Sequence, residues 1–279
     1  LEEDVIQVLD HGYVDFIEAW GTGRDGKMID SGHMNPVTDY EVGIVEAARQ
    51  STQGAFRGWY PDPCDCQMVT LTGSVDDLEH TPECASVKNP GDLKLLSFLY
   101  NNNHATPFEF SGMVIEVQAP IMVFREWHRH RTQSYNEASA RYSPLADLNY
   151  VPLVDRVLLN EAGANKQAQA MRGTILEPKF AHEWVKRLEE KYRIDEEFYQ
   201  WGLAGGIPKE LARLGMPMGH YSKMRASCNL RNWLAFMTLR CDPKAQWEIR
   251  QYANVVADLI AEKFPRTYGL FDGKRRKAC

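Results

Sequence analysis

Between Gly112 and Arg131 the chain changes its hydrophobic period within one short stretch, and this limits the fold more than any other segment. Met113, Ile115 and Val117 alternate with Glu116 and Gln118, the two-residue period of a strand with one buried face. Pro120 follows, a residue suited to the first turn of a helix. If that helix ran on through 131, successive side chains of Arg129-His130-Arg131 would point about 100° apart and could not converge on one anion. The helix is therefore expected to end near Trp127 to His130, with the cationic triplet fanning into adjacent subsites. Asn136 to Leu145, polar and containing Pro144, reads as an ordered loop of the kind that carries ligand contacts.

Other periods fill in the architecture. Val42, Ile44, Val45 and Ala48 are spaced as one face of a helix over Tyr40 to Arg49, and Leu93 to Asn101 reads as another. Phe180, Trp184, Leu188 and Tyr192 recur every four residues, which predicts a long helix covering a sheet or a partner; the plainer alternative makes these aromatics core. Pro208 opens a short helix bearing Glu210 and Arg213, stopped by Gly215 and Pro217. Gly219 to Cys228 looks extended, and Asn229 suits the N-cap of a helix through Arg240. Asp242-Pro243 has the chemistry of a cap and first turn for the next helix, whose stripe is Ile249, Ala253, Val256, Ile260 and Phe264. The expected fold class is α/β (α+β): a mixed central sheet flanked by long helices. Gly202, Gly205 and Gly206 follow a helix rather than a strand, so no Rossmann fingerprint is present.

A chain of 279 residues is read as a single domain, 1–279, with a loop insertion at about 55–92 rich in Pro, Gly and polar residues and holding one short strand at Met68 to Leu71. Its net charge of −6 argues against a general attraction to nucleic acid and fits small anionic ligands better. No membrane helix is expected, and six cysteines are too sparse for a disulfide framework, which points to a reducing, cytoplasmic compartment. Cys64, Cys66 and Cys84 near His80 invite a zinc reading, but one residue between the first two thiols is shorter than structural zinc sites use, so no metal is expected. The basic tail Lys274-Arg275-Arg276-Lys277 is read as a solvated end.

A nucleotide monophosphate carries about two negative charges and a base with fixed donors and acceptors, both matched by guanidinium forks. Arginines gather where such a ligand needs them: Arg125, Arg129, Arg131, Arg141, Arg213, Arg231 and Arg240, with Ser134, Ser139, Asn136 and Asn229 as neutral partners. Any one of these arginines alone is more readily a solvated surface residue. His130 is as readily a satisfied core histidine as a ligand, and Glu137 either pairs an arginine or handles protons.

The run Arg125-Glu126-Trp127-His128-Arg129-His130-Arg131-Thr132-Gln133-Ser134-Tyr135-Asn136-Glu137-Ala138-Ser139-Ala140-Arg141-Tyr142 closely resembles the signature of the flavin-dependent thymidylate synthases. Val8 to Val14, Ala47-Ala48-Arg49, His104-Ala105-Thr106-Pro107-Phe108-Glu109, Glu210 to Arg213, Tyr221-Ser222, Asn229-Leu230-Arg231 and Leu239-Arg240 resemble further blocks of that family, in its order. The resemblance implies a homotetramer with shared active sites that makes dTMP from dUMP, with methylenetetrahydrofolate as carbon donor and FAD carrying hydride from NADPH. It implies FAD contacts from Ser51, His104, Thr106, Glu109, Arg129, His130, Arg131, Asn229 and Arg231. For dUMP it implies Glu126, Ser134, Glu137, Ser139, Arg141, Arg213 and Arg240. Catalysis would centre on Arg240, with Ser139 and Arg141 beside it, Ser139 as a binding hydroxyl and no cysteine as nucleophile. Glu126 stands where the family often has Gln, Phe110 where it often has His, and Ala235 where it often has Asn or His. Two competitors remain, a flavoprotein performing another reaction on a uridine nucleotide and a nonenzymatic RNA-binding module using Trp127 and Tyr135.

Overall fold

The computed structural model describes residues 5–23, 28–29, 37–60, 91–159 and 176–278. The zinc candidates Cys64, Cys66, Cys84 and His80, and the strand expected at Met68 to Leu71, lie outside the described residues. The chain divides into two compact units.

The first unit comprises Leu1–Glu18, Met113–Cys228 and Asn232–Leu259. It holds a five-stranded sheet built from β1 (Val5–Val8), β2 (Gly12–Trp20), β5 (Gly112–Pro120), β6 (Ser134–Glu137) and β7 (Tyr221–Asn229), in the order β1-β2-β5-β7-β6. On β5 the alternation does what the sequence requires: Met113, Ile115, Val117 and Ala119 are fully buried while Val114, Glu116 and Gln118 are half-buried. α3 (Ile121–Trp127) starts directly after Pro120 and anchors itself with Trp127, whose ring lies 4.6 Å from that of Phe236 and whose Nε1 donates to Gln133 Oε1 at 3.0 Å. Two helices meet β5: Trp233 of α7 (Leu230–Arg240) donates to Met113 O at 3.1 Å, and Tyr252 of α8 (Trp247–Lys263) donates to Gln118 O at 2.9 Å. These buried polar tips let large rings fill the core without orphaning their N–H and O–H groups.

α4 (Val154–Leu158), α5 (Pro178–Ala204) and α6 (Lys209–Ala212) complete this unit. α5 is the expected long helix, but Phe180 and Trp184 remain 60% and 43% exposed, so the core reading of its aromatics does not hold. Only Ala181, Tyr199 and Gly202 are buried, and pairs such as Glu183–Arg187 and Lys191–Asp195 support the exposed surface. The helix stops at Gly205 and Gly206, the latter at φ +83°. Asp242-Pro243 does not start α8, which begins at Trp247. Instead the Asp242 carboxylate accepts Lys244 N at 2.7 Å and its carbonyl accepts Ala245 N at 2.9 Å, so the capping chemistry is spent on a turn.

The second unit comprises Ala19–Gly112, Asn229–Arg231 and Ile260–Cys279. It contains the short pair β3 (Met28–Ile29) and β4 (Val37–Thr38), α1 (Val42–Arg49), α2 (Leu93–Asn101) and α9 (Pro265–Ala278). Both flanks of the long insertion are tied together here: Asp92 N donates to Gly58 O at 2.8 Å and Leu93 N to Trp59 O at 3.1 Å. Gly91 sits at φ +73°, where a Cβ would meet the Tyr60 backbone at 2.6 Å, so this closure requires glycine. The fully buried Asp92 carboxylate accepts Arg49 Nε at 2.9 Å and Arg57 N at 2.7 Å.

Candidate active site

α3 gives way to a tight turn because backbone donors after Trp127 find carbonyls within the last helical turn: His128 N to Phe124 O at 2.9 Å and His130 N to Trp127 O at 3.0 Å. The hydroxyl of Tyr135, on β6, closes this turn, lying 2.7 Å from His130 O and 3.2 Å from Trp127 O. Arg129 and Arg131 are exposed on either side of the half-buried His130.

Arg240, the last residue of α7, meets this turn. Its Nε donates to His130 Nε2 at 2.9 Å, Nη1 to Glu126 Oε2 at 2.8 Å and Nη2 to Glu126 O at 2.8 Å. The cation also sits at the negative end of its helix. Its side chain is only 14% exposed, and among the described residues three of its five N–H groups are engaged. Burial, reinforced by the Arg240 charge and opposed by Glu126, pushes His130 down to about 4. The imidazole is therefore neutral at physiological pH.

β6 runs into the expected loop at Asn136 and Glu137, which are strand instead, and gives Ser134 and Glu137 opposite directions. Ser134 lies opposite Ser227 and Glu137 opposite Met224, on alternating faces of the ladder. Glu137 Oε2 is 4.0 Å from His128 Nε2, and His128 Nε2 is also 3.2 Å from Met224 Sδ. Beyond the strand, Ser139 shapes a turn: its carbonyl accepts Tyr142 N at 3.0 Å and its Oγ accepts Arg141 N at 3.3 Å. Among the described residues these contacts include neither the base nor the orienting acid of a nucleophilic triad. Arg141 Nε lies 3.3 Å from Glu210 Oε2 and Lys209 Nζ donates to Tyr142 O at 2.8 Å, which ties the signature loop to α6; exposed Arg213 follows three residues after Glu210.

In the second unit, Ser51, His104 and Thr106 line one cavity of about 530 Å³ together with Arg49 and Phe110. Asn103 at φ +56° turns the chain so that His104 N returns to Leu99 O at 2.8 Å, and Thr106 opens a short turn through Glu109. Glu109 pairs with Arg231. Asn229 ends β7 immediately before α7, as its capping chemistry suggests. Thus three of the expected flavin contacts share a cavity and two more form an ion pair.

From the sequence, Arg49 of this cavity and its buried holder Asp92 receive no role at this site, and Tyr135 enters only through the RNA-binding alternative. Arg49 carried a signal, the Ala47-Ala48-Arg49 block; Asp92 and Tyr135 act through partners 43 and 5 residues away that no local pattern reveals. Among the described residues no group of His, Cys, Asp and Glu is placed to hold a metal, and Cys228 and Cys241 are buried.

Residues 35–266 match the family described as thymidylate synthase complementing protein. The flavin-dependent thymidylate synthase of Thermosipho africanus is 37% identical over 66% of this chain and 79% of its own, and that of Rickettsia prowazekii 36% identical over 66% of each. Among solved structures, a UMP/dUMP methylase, PolB from Streptomyces cacaoi, bound with 5-Br dUMP superposes with a TM-score of 0.67 and 26% identity, covering 96% of this chain and 97% of that one. The same protein bound with 5-Br UMP gives a TM-score of 0.67 with 96% of each covered. With the family match over residues 35–266 and relatives 36–37% identical over two thirds of the chain, the chain belongs to the thymidylate synthase complementing protein family, that of the flavin-dependent thymidylate synthases.

Proposed function

We propose that this enzyme reductively methylates dUMP to dTMP, with methylenetetrahydrofolate as carbon donor and NADPH as reductant through FAD, in a cytoplasmic homotetramer with shared active sites. The observation that carries this reading is Arg240: a guanidinium held at three points, with its two remaining N–H groups for a ligand. Such a fixed cation stabilises negative charge on a pyrimidine carbonyl as C5 becomes nucleophilic, without reorganising during reaction. Arg141 and Arg213 take the phosphate or sugar, and Ser134, Glu137, Ser139 and Glu126 complete nucleotide recognition. No thiol is needed for that activation, and both described cysteines are buried.

The second unit has the donor set for FAD: the Ser51 and Thr106 hydroxyls, the His104 imidazole and the Arg49 guanidinium around one cavity, with Asn229, Arg231 and Glu109 on neighbouring backbone. Arg129, His130 and Arg131 supply further cationic and neutral donors. When bound, FAD supplies the hydride that takes the transferred carbon to a methyl group. We assign both compact units to one catalytic domain. No described helix is long and apolar enough to cross a membrane.

A second reading is favoured by one comparison: the similarity covering nearly the whole chain is to a methylase of UMP as well as dUMP. Supplying dUMP and UMP separately, with methylenetetrahydrofolate, NADPH and FAD, and scoring the mass gain of a methyl group separates the two. Methylation of dUMP alone supports the synthase; preference for UMP supports the second reading. No methylated product from either overturns both.

A further inference from the structure

The structure assigns His130 the task of positioning Arg240, as a neutral imidazole with its hydrogen on Nδ1. This goes beyond a flavin-contacting role for His130. Its significance for turnover rests on the proposed reaction, whereas the tautomer does not.

The geometry of one contact fixes the tautomer. An arginine stays protonated at every accessible pH, so Nε always carries hydrogen. Arg240 Nε lies 2.9 Å from His130 Nε2. That contact is an N–H···N bond only if Nε2 is a bare acceptor. A protonated Nε2, in the other tautomer or in imidazolium, would set two donors head to head. The proton of the neutral ring is consequently on Nδ1, and that edge alone can donate to a ligand.

Three further elements hold the ring in place. Phe236, one helical turn before Arg240 on α7, meets it edge-on at 4.9 Å. The Tyr135 hydroxyl, with one hydrogen to give, lies nearest the His130 carbonyl at 2.7 Å and so fixes the backbone that carries the ring. Glu126 takes the other side of the guanidinium through both its carboxylate and its carbonyl. The charged groups acting on the ring are thus Arg240 from α7 and Glu126 from α3, with Arg129 and Arg131 flanking it in the chain. Tyr135 is a positioning residue one step further out.

The test is the histidine side-chain ¹⁵N spectrum of the full-length protein without ligands, with His130 assigned by its loss in His130→Gln. A pyridine-type Nε2 and a pyrrole-type Nδ1 that persist as the pH falls through about 6.5, the ordinary histidine value, are expected. In Arg240→Lys, which lacks Nε–H, His130 should become a tautomer mixture or titrate nearer its ordinary value. A protonated Nε2 in the wild type, or titration near 6.5, overturns the assignment whether or not the lysine variant folds. For turnover, His130→Ala should lose about 10²-fold in kcat measured on its FAD-loaded fraction. His130→Gln, which restores an acceptor, should recover at least about tenfold of that loss. Loss of FAD with unchanged kcat of the loaded fraction would overturn the positioning role. Absence of dTMP formation by the wild type would strike the proposed reaction and leave the spectroscopic result standing.

Discussion

Replacing Arg240 by alanine separates the structural and chemical duties of one side chain. The variant removes three hydrogen bonds. The carboxylate of Glu126 is 43% exposed, so the ion pair contributes no more than about 1 kcal/mol after solvent screening. The bonds to Glu126 O and His130 Nε2 contribute about 0.5–1.5 kcal/mol each. Water entering the vacated space satisfies part of what is lost, which leaves a destabilisation of about 1–3 kcal/mol. For a chain of this size each kcal/mol moves the melting temperature by roughly 2–4 °C, so a fall of roughly 2–12 °C is expected. Catalysis should suffer more, since losing one preorganised donor to a developing charge costs about 10²–10³ in kcat. Melting curves, flavin absorbance and initial rates of dTMP formation on the same preparation read the three effects. Wild-type turnover in a folded, flavin-loaded Arg240→Ala protein would refute the assignment of Arg240. A fall in rate tracking only the folded fraction would refute it equally.

Gly12→Ala should lower stability by about 1–3 kcal/mol, seen as a lower melting temperature, because the new Cβ would stand 1.9 Å from Tyr252 Oη and 2.6 Å from Val8 O. Asp92→Ala leaves the partly buried Arg49 without its carboxylate and should cost about 3–5 kcal/mol in chemical denaturation, with weaker FAD retention; unchanged stability would show that the buried pair does not tie the insertion flanks. His130 is lower in the folded protein than in the unfolded chain, which takes up the proton first on acidification. Its contribution is intact above about 6.5 and is lost as the pH falls toward about 4, so His130→Gln should flatten the pH dependence of melting across that interval. A wild-type slope retained in His130→Gln would assign it to other groups, such as buried His220, which burial also holds low.

The segments legible in the sequence were those where one period dominates. The alternation on β5, the stop of α3 at Trp127 and the stripe of α1 follow from residues within a few positions of one another. The Arg240 cluster was legible only in outline. Its residue types announced anion binding, but the bond from Arg240 to His130 spans 110 residues and depends on where α7 ends relative to the α3 turn. Asp242-Pro243 misled because an Asx turn and a helix cap begin with the same side-chain bond. Asn136 and Glu137, the second half of β6, read as loop because the stretch from Asn136 to Leu145 is polar and holds Pro144, and their strand character comes from pairing with β7. The exposed aromatics of α5 show the limit of periodicity, which gives a face and leaves open what meets it.

The most direct test of the central claim is dTMP formation from dUMP, methylenetetrahydrofolate and NADPH by protein stripped of flavin, before and after FAD is restored, with and without thiol alkylation. The account predicts no product without FAD, turnover on its return, and persistence of that turnover after alkylation. Product formed without flavin, or abolished by alkylation of a protein that still binds FAD and dUMP, would contradict it.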